Sequence, residues 1–306
     1  MDLGRLFREF GSDDKCREVL EELAWPEGPR CPRCKSEKIS HVAKRHIYDC
    51  DSCRYQFSVT AGTVFHDTHL PLAKWFAAIY LMCESKKGIS GRQMQRMLPV
   101  ASYKTAWYLC HRIRAAMKEA NPEPLKGTVE YDDTWHGGVR KGMGKGYVGN
   151  KTSIMGVIER GGPIRLRVEK RVNAKTVAHF LQKTTSFETE RIYTDSAPTF
   201  EGVDFGDAEH ASVDHSAQEW VRGDVHTNSI EGVWSLFKRS VIGSYHQLSE
   251  KHLQSYLDEH AFRFNNRKNP HLFRDTLKRL LAAEPIPFQK LTSESQGGGV
   301  LDHAIL

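Results

Sequence analysis

Four of the seven cysteines are arranged in two closely spaced pairs. Cys31 and Cys34 lie in "CPRC", and after a gap of fifteen residues Cys50 and Cys53 lie in "CDSC". Two C-x2-C pairs at this spacing are typical of a zinc ribbon, in which four thiolates bind one Zn²⁺ tetrahedrally. Because four protein ligands leave no open coordination position, we expect this zinc to be structural and to hold short hairpins together.

Three acidic residues further along the chain could bind catalytic metal ions. Asp132 lies within the predicted strand "GTVEYDDTW", Asp195 ends the predicted strand "ERIYTDS", and Glu231 lies on a predicted helix over residues 228–242. Strand ends are where α/β sheets present active-site groups, and carboxylates are the hard oxygen ligands that suit Mg²⁺ or Mn²⁺. The three acids could therefore hold two such ions for phosphoryl transfer.

The predicted helix "HTNSIEGVWSLFKRS" carries Glu231 together with a lysine. Lys238 follows Glu231 by seven positions, so both side chains lie on one face of the helix, where Lys238 could contact a phosphate. A purely local role for Glu231 is also open, because Asn228 three residues earlier forms an N-x-x-E variant of the capping box. The sequence does not choose between these roles.

Two neighbouring acids compete with Asp132 for the same role. Side chains of a strand alternate between its faces, so Glu130 shares the face of Asp132, whereas Asp133 points to the opposite face. Glu130 is therefore the stronger rival.

A strongly basic segment precedes these acids. From Lys86 to Lys118 there are eight Lys or Arg and no Asp or Glu, which favours a polyanionic partner. Helical periodicity predicts a helix, a turn at "PVAS" and a second helix that lies on DNA with an apolar face packed inward, formed by Ala106, Leu109, Cys110 and Ile113. The predicted DNA contacts are Lys86, Lys87, Arg92, Arg96, Lys104, Arg112, Arg114 and, from a second basic stretch, Arg239.

The elements that position these residues fall into several segments. The 306 residues are enough for two or three units, and beyond the linker "NPEPLKG" strands and helices alternate, which predicts an α/β fold. The predicted division is residues 1–70 for an N-terminal helix and zinc ribbon, 71–120 for a helical DNA-binding region, 127–270 for a catalytic domain, and 271–306 for a C-terminal helix and loose tail.

The composition is mildly basic and offers no membrane segment. The net charge is +6 and the pI is about 8.9. No apolar run approaches the length of a membrane span, and the N-terminus has acids where a signal peptide needs basic and then apolar residues. We therefore expect a cytoplasmic protein.

Several long motifs resemble those of bacterial insertion-sequence transposases of the DDE class that carry a zinc ribbon, the ISXO2-like family. The resemblance covers roughly residues 10–270. It depends on "WPEGPRCPRC", "CDSCRYQFSVTAGTVFHDTHLPLAKWFAAIYLM", "SYKTAWYLCHRIRAAM", "VEYDDTWHGG", "YTDSAPTF", "HTNSIEGVWSLFKRS" and "GSYHQLSEKHLQSYLDEHAFRFNNR".

This resemblance implies a ribonuclease H-like, integrase-type catalytic domain behind the zinc ribbon and a helix-turn-helix-like region. The family's catalytic residues are two Asp, a third residue and a following Lys, which correspond to Asp132, Asp195, Glu231 and Lys238, with Asn228 as an alternative third ligand. It also implies double-stranded DNA as the partner, Mg²⁺ or Mn²⁺ as catalytic cofactor, and a nucleoid-associated location. Because two DNA ends must be brought together, we expect a homodimer or a larger synaptic assembly.

The sequence thus predicts a transposase that binds the inverted ends of its element and catalyses Mg²⁺-dependent strand cleavage and strand transfer. Two alternatives stay open: a catalytically inactive zinc-ribbon regulator that only binds DNA, and a metal-dependent nuclease that only hydrolyses it.

Overall fold

The computed structural model describes residues 2–137 and 151–293 of the chain. The chain divides into two compact units, the first comprising Met1–Met117 with Asn269–Leu306 and the second comprising Lys118–Lys268. The predicted loose tail lies, from residue 294 onward, outside the described residues.

Helices and strands follow one another largely as the sequence patterns predict. No helix in the described ranges is long and apolar enough to cross a membrane. The helices are α1 (Leu3–Phe10), α2 (Asp13–Ala24), α3 (Leu72–Glu84), α4 (Gly91–Met97), α5 (Tyr103–Met117), α6 (Ala174–Thr184), α7 (Asn228–Ser240), α8 (Glu250–Asn265), α9 (Leu272–Ala282) and α10 (Phe288–Thr292). The strands are β1 (Ile39–Val42), β2 (Ile47–Cys50), β3 (Gln56–Phe57), β4 (Leu125–His136), β5 (Thr152–Glu159), β6 (Ile164–Glu169), β7 (Thr185–Asp195) and β8 (Glu209–Val213).

The cysteine pairs lie around a small antiparallel sheet in the first unit. The strand order is β1-β2-β3, and Tyr48 and Phe57 are buried beside Cys31 and Cys50, with Trp25 packed against them. A core of this size is too small to stabilise three short strands by itself. The arrangement is that expected of a ribbon held by a metal ion.

The remainder of the first unit is helical. The four α5 residues predicted to face inward, Ala106 to Ile113, are all buried, as predicted. At Gly91 on α4 an added Cβ would lie 3.0 Å from the Tyr103 ring and 3.3 Å from Trp107 Cα, so glycine allows α4 and α5 to approach closely. The C-terminal helix α9 packs on α2, α3 and α5, which places it in this unit.

A mixed five-stranded sheet forms the centre of the second unit. Its order is β6-β5-β4-β7-β8, with β5 antiparallel to its neighbours β6 and β4, and with β7 and β8 parallel to β4. Helices cover both faces of the sheet, as is usual in α/β domains. The predicted fold class is confirmed: a ribonuclease H-like α/β domain behind a four-cysteine ribbon.

Each face of this sheet has its own apolar core. One core packs α6 on the central strands through Val177, Phe180 and Leu181. The opposite core packs α7 and α8 on β5 and β6 and includes the predicted apolar face of α7, whose residues are Ile230, Val233, Trp234 and Phe237. This second core fixes the helix that carries Glu231.

Candidate active site

The two aspartates predicted as metal ligands lie on adjacent parallel strands. Glu130 of β4 is paired with Tyr193 of β7, so Asp132 and Asp195, each two residues further on, lie at matching positions at the C-terminal end of this strand pair. Burial raises the pKa of Asp132 to about 7, with further contributions from the charges of Asp195 and Asp133. The structure therefore brings Asp132 and Asp195 together.

Glu231 joins them from the first turn of α7. Burial raises the pKa of Asp195, the charge of Glu231 raises it further, and the nearby His215 opposes the shift. Glu231 Oε1 accepts a hydrogen bond from the Thr227 hydroxyl at 3.0 Å and lies 3.7 Å from His215 Nε2. Glu231 on the helix thus lies near Asp195, which in turn lies near Asp132 on the adjacent strand.

The capping role predicted as an alternative for Glu231 is wrong. The N-cap of α7 is Thr227, and the backbone N–H of Asn228 donates to His226 Nδ1 at 3.4 Å. Since Glu231 accepts from the side chain of Thr227 rather than from that backbone N–H, its carboxylate stays near Asp195. Asn228 itself is exposed.

Glu130 of β4 accepts hydrogen bonds from backbone N–H groups at the start of α7, which is the role that the capping-box pattern predicts for Glu231. The fully buried Glu130 carboxylate accepts the backbone N–H groups of Ser229 at 2.8 Å and Ile230 at 3.1 Å. Its other oxygen accepts from Arg160 Nε at 2.9 Å and lies 3.3 Å from His226 Nδ1. A carboxylate at a helix N-terminus satisfies otherwise unpaired N–H groups and complements the helix dipole. The Glu130 carboxylate is therefore engaged in these hydrogen bonds and is no rival to Asp132 as a metal ligand.

Replacing Glu130 with glutamine is expected to lower the free energy of unfolding by about 3 kcal/mol. Arg160 loses its buried charged partner, and the single amide oxygen can replace either Oε1, which accepts from Arg160, or Oε2, which accepts from both helix N–H groups. Urea unfolding followed by tryptophan fluorescence measures this change. Glu188→Gln, which removes an exposed ion pair with Lys126, is the control and should change little. Equal effects of the two substitutions would contradict the structural role of Glu130.

Asp133 is closer to the site than strand alternation alone suggests. Burial, followed by the charge of Asp195, raises its pKa to about 6.

Lys238 and Arg239 lie on the last turn of α7 with exposed side chains. Seven residues of helix put Lys238 roughly 10 Å along the axis from Glu231, a distance suited to a phosphate further along a bound strand.

The basic residues of the first unit divide into two groups. Arg112 and Arg114 are buried; the Arg112 guanidinium donates to the carbonyl oxygens of Val64 and His66, and Arg114 donates to that of Ile89. The prediction that these two arginines contact DNA is therefore wrong, because a count of charges along a segment does not show which side chains face the core. The others are exposed: Lys86, Lys87, Arg92, Arg96 and Lys104.

The four cysteines form a compact cluster. The sulfur atoms of Cys31, Cys34, Cys50 and Cys53 all lie within 4.8 Å of one another, with Cys31–Cys53 and Cys34–Cys50 separations of 3.6 and 3.5 Å. Among the described residues this is the one group of three or more ligands that meets this limit. Four convergent sulfurs fit Zn²⁺, which prefers a tetrahedral thiolate site.

The carboxylates are less tightly grouped but fit a different ion. Their donor atoms are hard oxygens, which suit Mg²⁺ or Mn²⁺. The raised pKa values of Asp132 and Asp133 show that burying these neighbouring negative charges is unfavourable. A divalent cation would offset that cost.

Several contacts at the site have no sequence signal. Trp234 reads as one more apolar residue of α7, yet its indole N–H donates to Asp132 Oδ2 at 2.9 Å. His215 lies in a short 3-10 turn after β8, where no periodicity marks it. Thr227, next to Glu231, could have been suspected only from its position before the helix.

Comparison with known proteins finds a matching domain family for each of these features. Residues 124–265 match the ISXO2-like transposase domain, and residues 11–56 match the transposase zinc-ribbon domain. An uncharacterized protein in the transposable element ISH50 of Halobacterium salinarum is 27% identical over 269 residues, covering 82% of this chain and 90% of that protein.

Among solved structures, the Mos1 Strand Transfer Complex is similar over 68% of this chain and 75% of that chain, with 14% identity and a TM-score of 0.31. The two family matches together span more than half of the chain and contain both the cysteine cluster and the three acids. The chain therefore carries an ISXO2-like transposase domain, preceded by a transposase zinc-ribbon domain.

Proposed function

We propose that this transposase binds the inverted ends of its own insertion sequence and catalyses Mg²⁺-dependent cleavage and transfer of DNA strands. The observation that carries the proposal is the proximity of Asp132 on β4 to Asp195 on β7, and of Asp195 to Glu231 on α7. The supporting observation is the match of the surrounding domain to a transposase family.

Asp132, Asp195 and Glu231 would hold Mg²⁺ or Mn²⁺, which when bound activates an attacking oxygen and offsets negative charge on the leaving oxygen. In the first reaction a water oxygen attacks the phosphorus at the element end, and the bond to the 3′ oxygen breaks, which leaves a 3′ hydroxyl. In the second reaction that hydroxyl attacks a phosphorus of target DNA and displaces another 3′ hydroxyl. Lys238 would bind a phosphate and keep the strand in line.

The exposed lysines and arginines of the first unit would bind the DNA backbone. Because each bound phosphate releases about one counterion, the binding constant should fall steeply with salt concentration. Two DNA ends must meet for transfer, so a homodimer or larger synaptic assembly is part of the proposal.

The double variant Arg92→Ala with Lys104→Ala is expected to weaken DNA binding and to reduce the slope of log K against log salt by about 0.9 for each phosphate that the variant no longer binds. Both side chains are exposed, and their cations lie over the rings of Tyr103 and Phe288 at 4.4 and 4.2 Å. Fluorescence anisotropy across a salt series measures the slope. Arg8→Ala, an exposed arginine on α1, is the control; a slope unchanged in the double variant would exclude this surface.

DNA that carries the sequences flanking the coding region tests the proposed activity. With Mg²⁺ the wild-type protein should nick at the element end and leave a 3′ hydroxyl, Glu231→Gln should not, and Asn228→Ala should cleave normally. Wild-type protein that binds the end without nicking it would indicate the inactive regulator. Equal loss of cleavage in Asn228→Ala would reassign the third ligand.

A further inference from the structure

Trp234 connects α7 to the strand that carries Asp132. Its indole N–H donates to Asp132 Oδ2 at 2.9 Å, and Oδ1 of the same carboxylate accepts the backbone N–H of Asp133 at 2.8 Å. Each oxygen therefore has one donor among residues 2–137 and 151–293, and because a carboxylate oxygen has two lone pairs, each keeps one for another ligand. The two hydrogen bonds together fix the plane of the Asp132 carboxylate.

Gly156 makes room for this indole. It is paired with Asp132 across the β4–β5 ladder, and a Cβ at this position would lie 2.5 Å from Cζ2 and Cη2 of Trp234. Real Cβ atoms do not approach other atoms so closely, so any other residue at position 156 must displace the ring. The absence of a side chain at Gly156 thus lets the indole N–H reach Asp132.

A second contact joins the same strand and helix on the other side of Glu231. Glu130 of β4 accepts the N–H groups of Ser229 and Ile230 at the start of α7. Glu231 follows these two residues and precedes Trp234, so the helix is hydrogen-bonded to β4 both before and after it. These contacts set the position of Glu231 relative to Asp132.

We infer that Trp234 is a positioning residue of the catalytic site, which holds the Asp132 carboxylate in the orientation that binds the metal ion, and that Gly156 is required for this contact. The inference rests on the proposed function, because it takes Asp132 as a metal ligand. Hydrogen-bonding partners of metal ligands typically contribute about 10- to 100-fold in metal affinity or activity. A residue that only filled the core would contribute to stability alone.

Trp234→Phe removes the N–H donor and keeps an aromatic ring. In the zinc-loaded full-length protein, the dissociation constant for Mn²⁺, measured by electron paramagnetic resonance of the free ion, should rise at least about tenfold. Phe237→Leu is the matched control, since Phe237 belongs to the same core cluster on the same helix. It should lower the thermal midpoint and leave Mn²⁺ affinity unchanged; equal Mn²⁺ affinity in wild type and Trp234→Phe would overturn the inference.

Asp195→Asn separates this inference from the proposed function. If Asp195→Asn loses Mn²⁺ binding and Trp234→Phe keeps it, the role of Trp234 is overturned and the proposed function still stands. A wild-type protein that binds no Mn²⁺ would overturn both.

Indole resonances give a readout independent of activity. The chain has six tryptophans, and the ¹H–¹⁵N indole signal missing from Trp234→Phe identifies that of Trp234. Mg²⁺ should shift this signal in the wild type and leave it in place in Asp132→Asn. If Mg²⁺ does not shift this signal in the wild type, the result would contradict the role of the Trp234–Asp132 contact.

The role of Gly156 is tested by a double-mutant cycle. Gly156→Ala should destabilise the protein and weaken Mn²⁺ binding, and both effects should be smaller in the Trp234→Phe background, because the ring atoms nearest to position 156 are then removed. If the effects of Gly156→Ala and Trp234→Phe are additive, this result would contradict a steric conflict between a side chain at position 156 and the Trp234 ring.

Discussion

Asp132→Asn is expected to remove strand cleavage and to raise the stability of the zinc-loaded protein at pH 8 in the absence of Mg²⁺ and Mn²⁺. Cleavage is lost because an amide is a poor ligand for Mg²⁺ and carries no negative charge. Stability rises because the fold no longer buries a charge that it disfavours, as the rise in pKa from 3.8 to about 7 indicates. At about 1.4 kcal/mol per pKa unit this rise corresponds to about 4 kcal/mol. The amide leaves one of the two donors to Asp132 without an acceptor, which costs about 1 to 3 kcal/mol, so we expect a net gain of about 2 kcal/mol.

The sign of the pH dependence follows from the same pKa. The folded protein holds the Asp132 proton more tightly than the unfolded chain does, so the contribution of Asp132 to stability is largest below about pH 4 and is lost as the pH rises through about 7. Asparagine does not titrate. The gain in stability of Asp132→Asn over the wild type should therefore be largest at pH 8 and should shrink steadily as the pH is lowered toward 4.

Thermal unfolding of both zinc-loaded proteins without added Mg²⁺ or Mn²⁺ at several pH values, together with a cleavage assay in Mg²⁺, measures the two effects. Asp258→Asn is the matched control, because Asp258 on α8 is another carboxyl group whose pKa burial raises, and it is no part of the proposed site. That variant should gain stability and keep full cleavage. An Asp132→Asn protein that still cleaves, or that is less stable at pH 8, would contradict the account.

Loss of zinc is expected to unfold the ribbon and to leave the catalytic unit folded. Structural zinc in small domains contributes about 10 to 16 kcal/mol of apparent binding free energy near pH 7, and the ribbon's own core consists of few residues. Cys50→Ser should therefore bind no zinc and should expose residues 31–57 to protease. The unfolding midpoint of the second unit should not change.

Cys16→Ala is the control for this experiment. Cys16 is buried on α2, and burial raises the pKa of its thiol to about 12, so it is a protonated core residue. The variant should bind zinc as the wild type does. Zinc content that is equal in Cys50→Ser and in the wild type would exclude the cysteine cluster as the site.

The parts of the site that depend on local pattern could be predicted from the sequence. The cysteine spacing identifies the ribbon by itself, and Asp195 and Glu231 stand out as candidates because one ends a strand and the other lies in the first turn of a helix. The inward face of α5 follows from helical periodicity and is buried as predicted. These features require no knowledge of which elements meet in space.

Features that depend on long-range contacts could not be predicted. Glu130 reaches the start of α7 across 99 residues of sequence, so spacing could only rank it as a rival of Asp132. Arg112 and Arg114 read as surface cations because their carbonyl partners lie in loops 46 and 25 residues away. A buried guanidinium that donates to backbone carbonyls has no sequence signature.

Joining of a pre-cleaved element end to a supercoiled plasmid in Mg²⁺ tests the central claim most directly. This assay needs only the second reaction, so it separates a transposase from a nuclease that can only hydrolyse DNA. We expect covalent joining by the wild type and by Asp258→Asn, and none by Asp195→Asn or Glu231→Gln. Nicking of the plasmid without joining by the wild type, or joining by Asp195→Asn, would contradict the account.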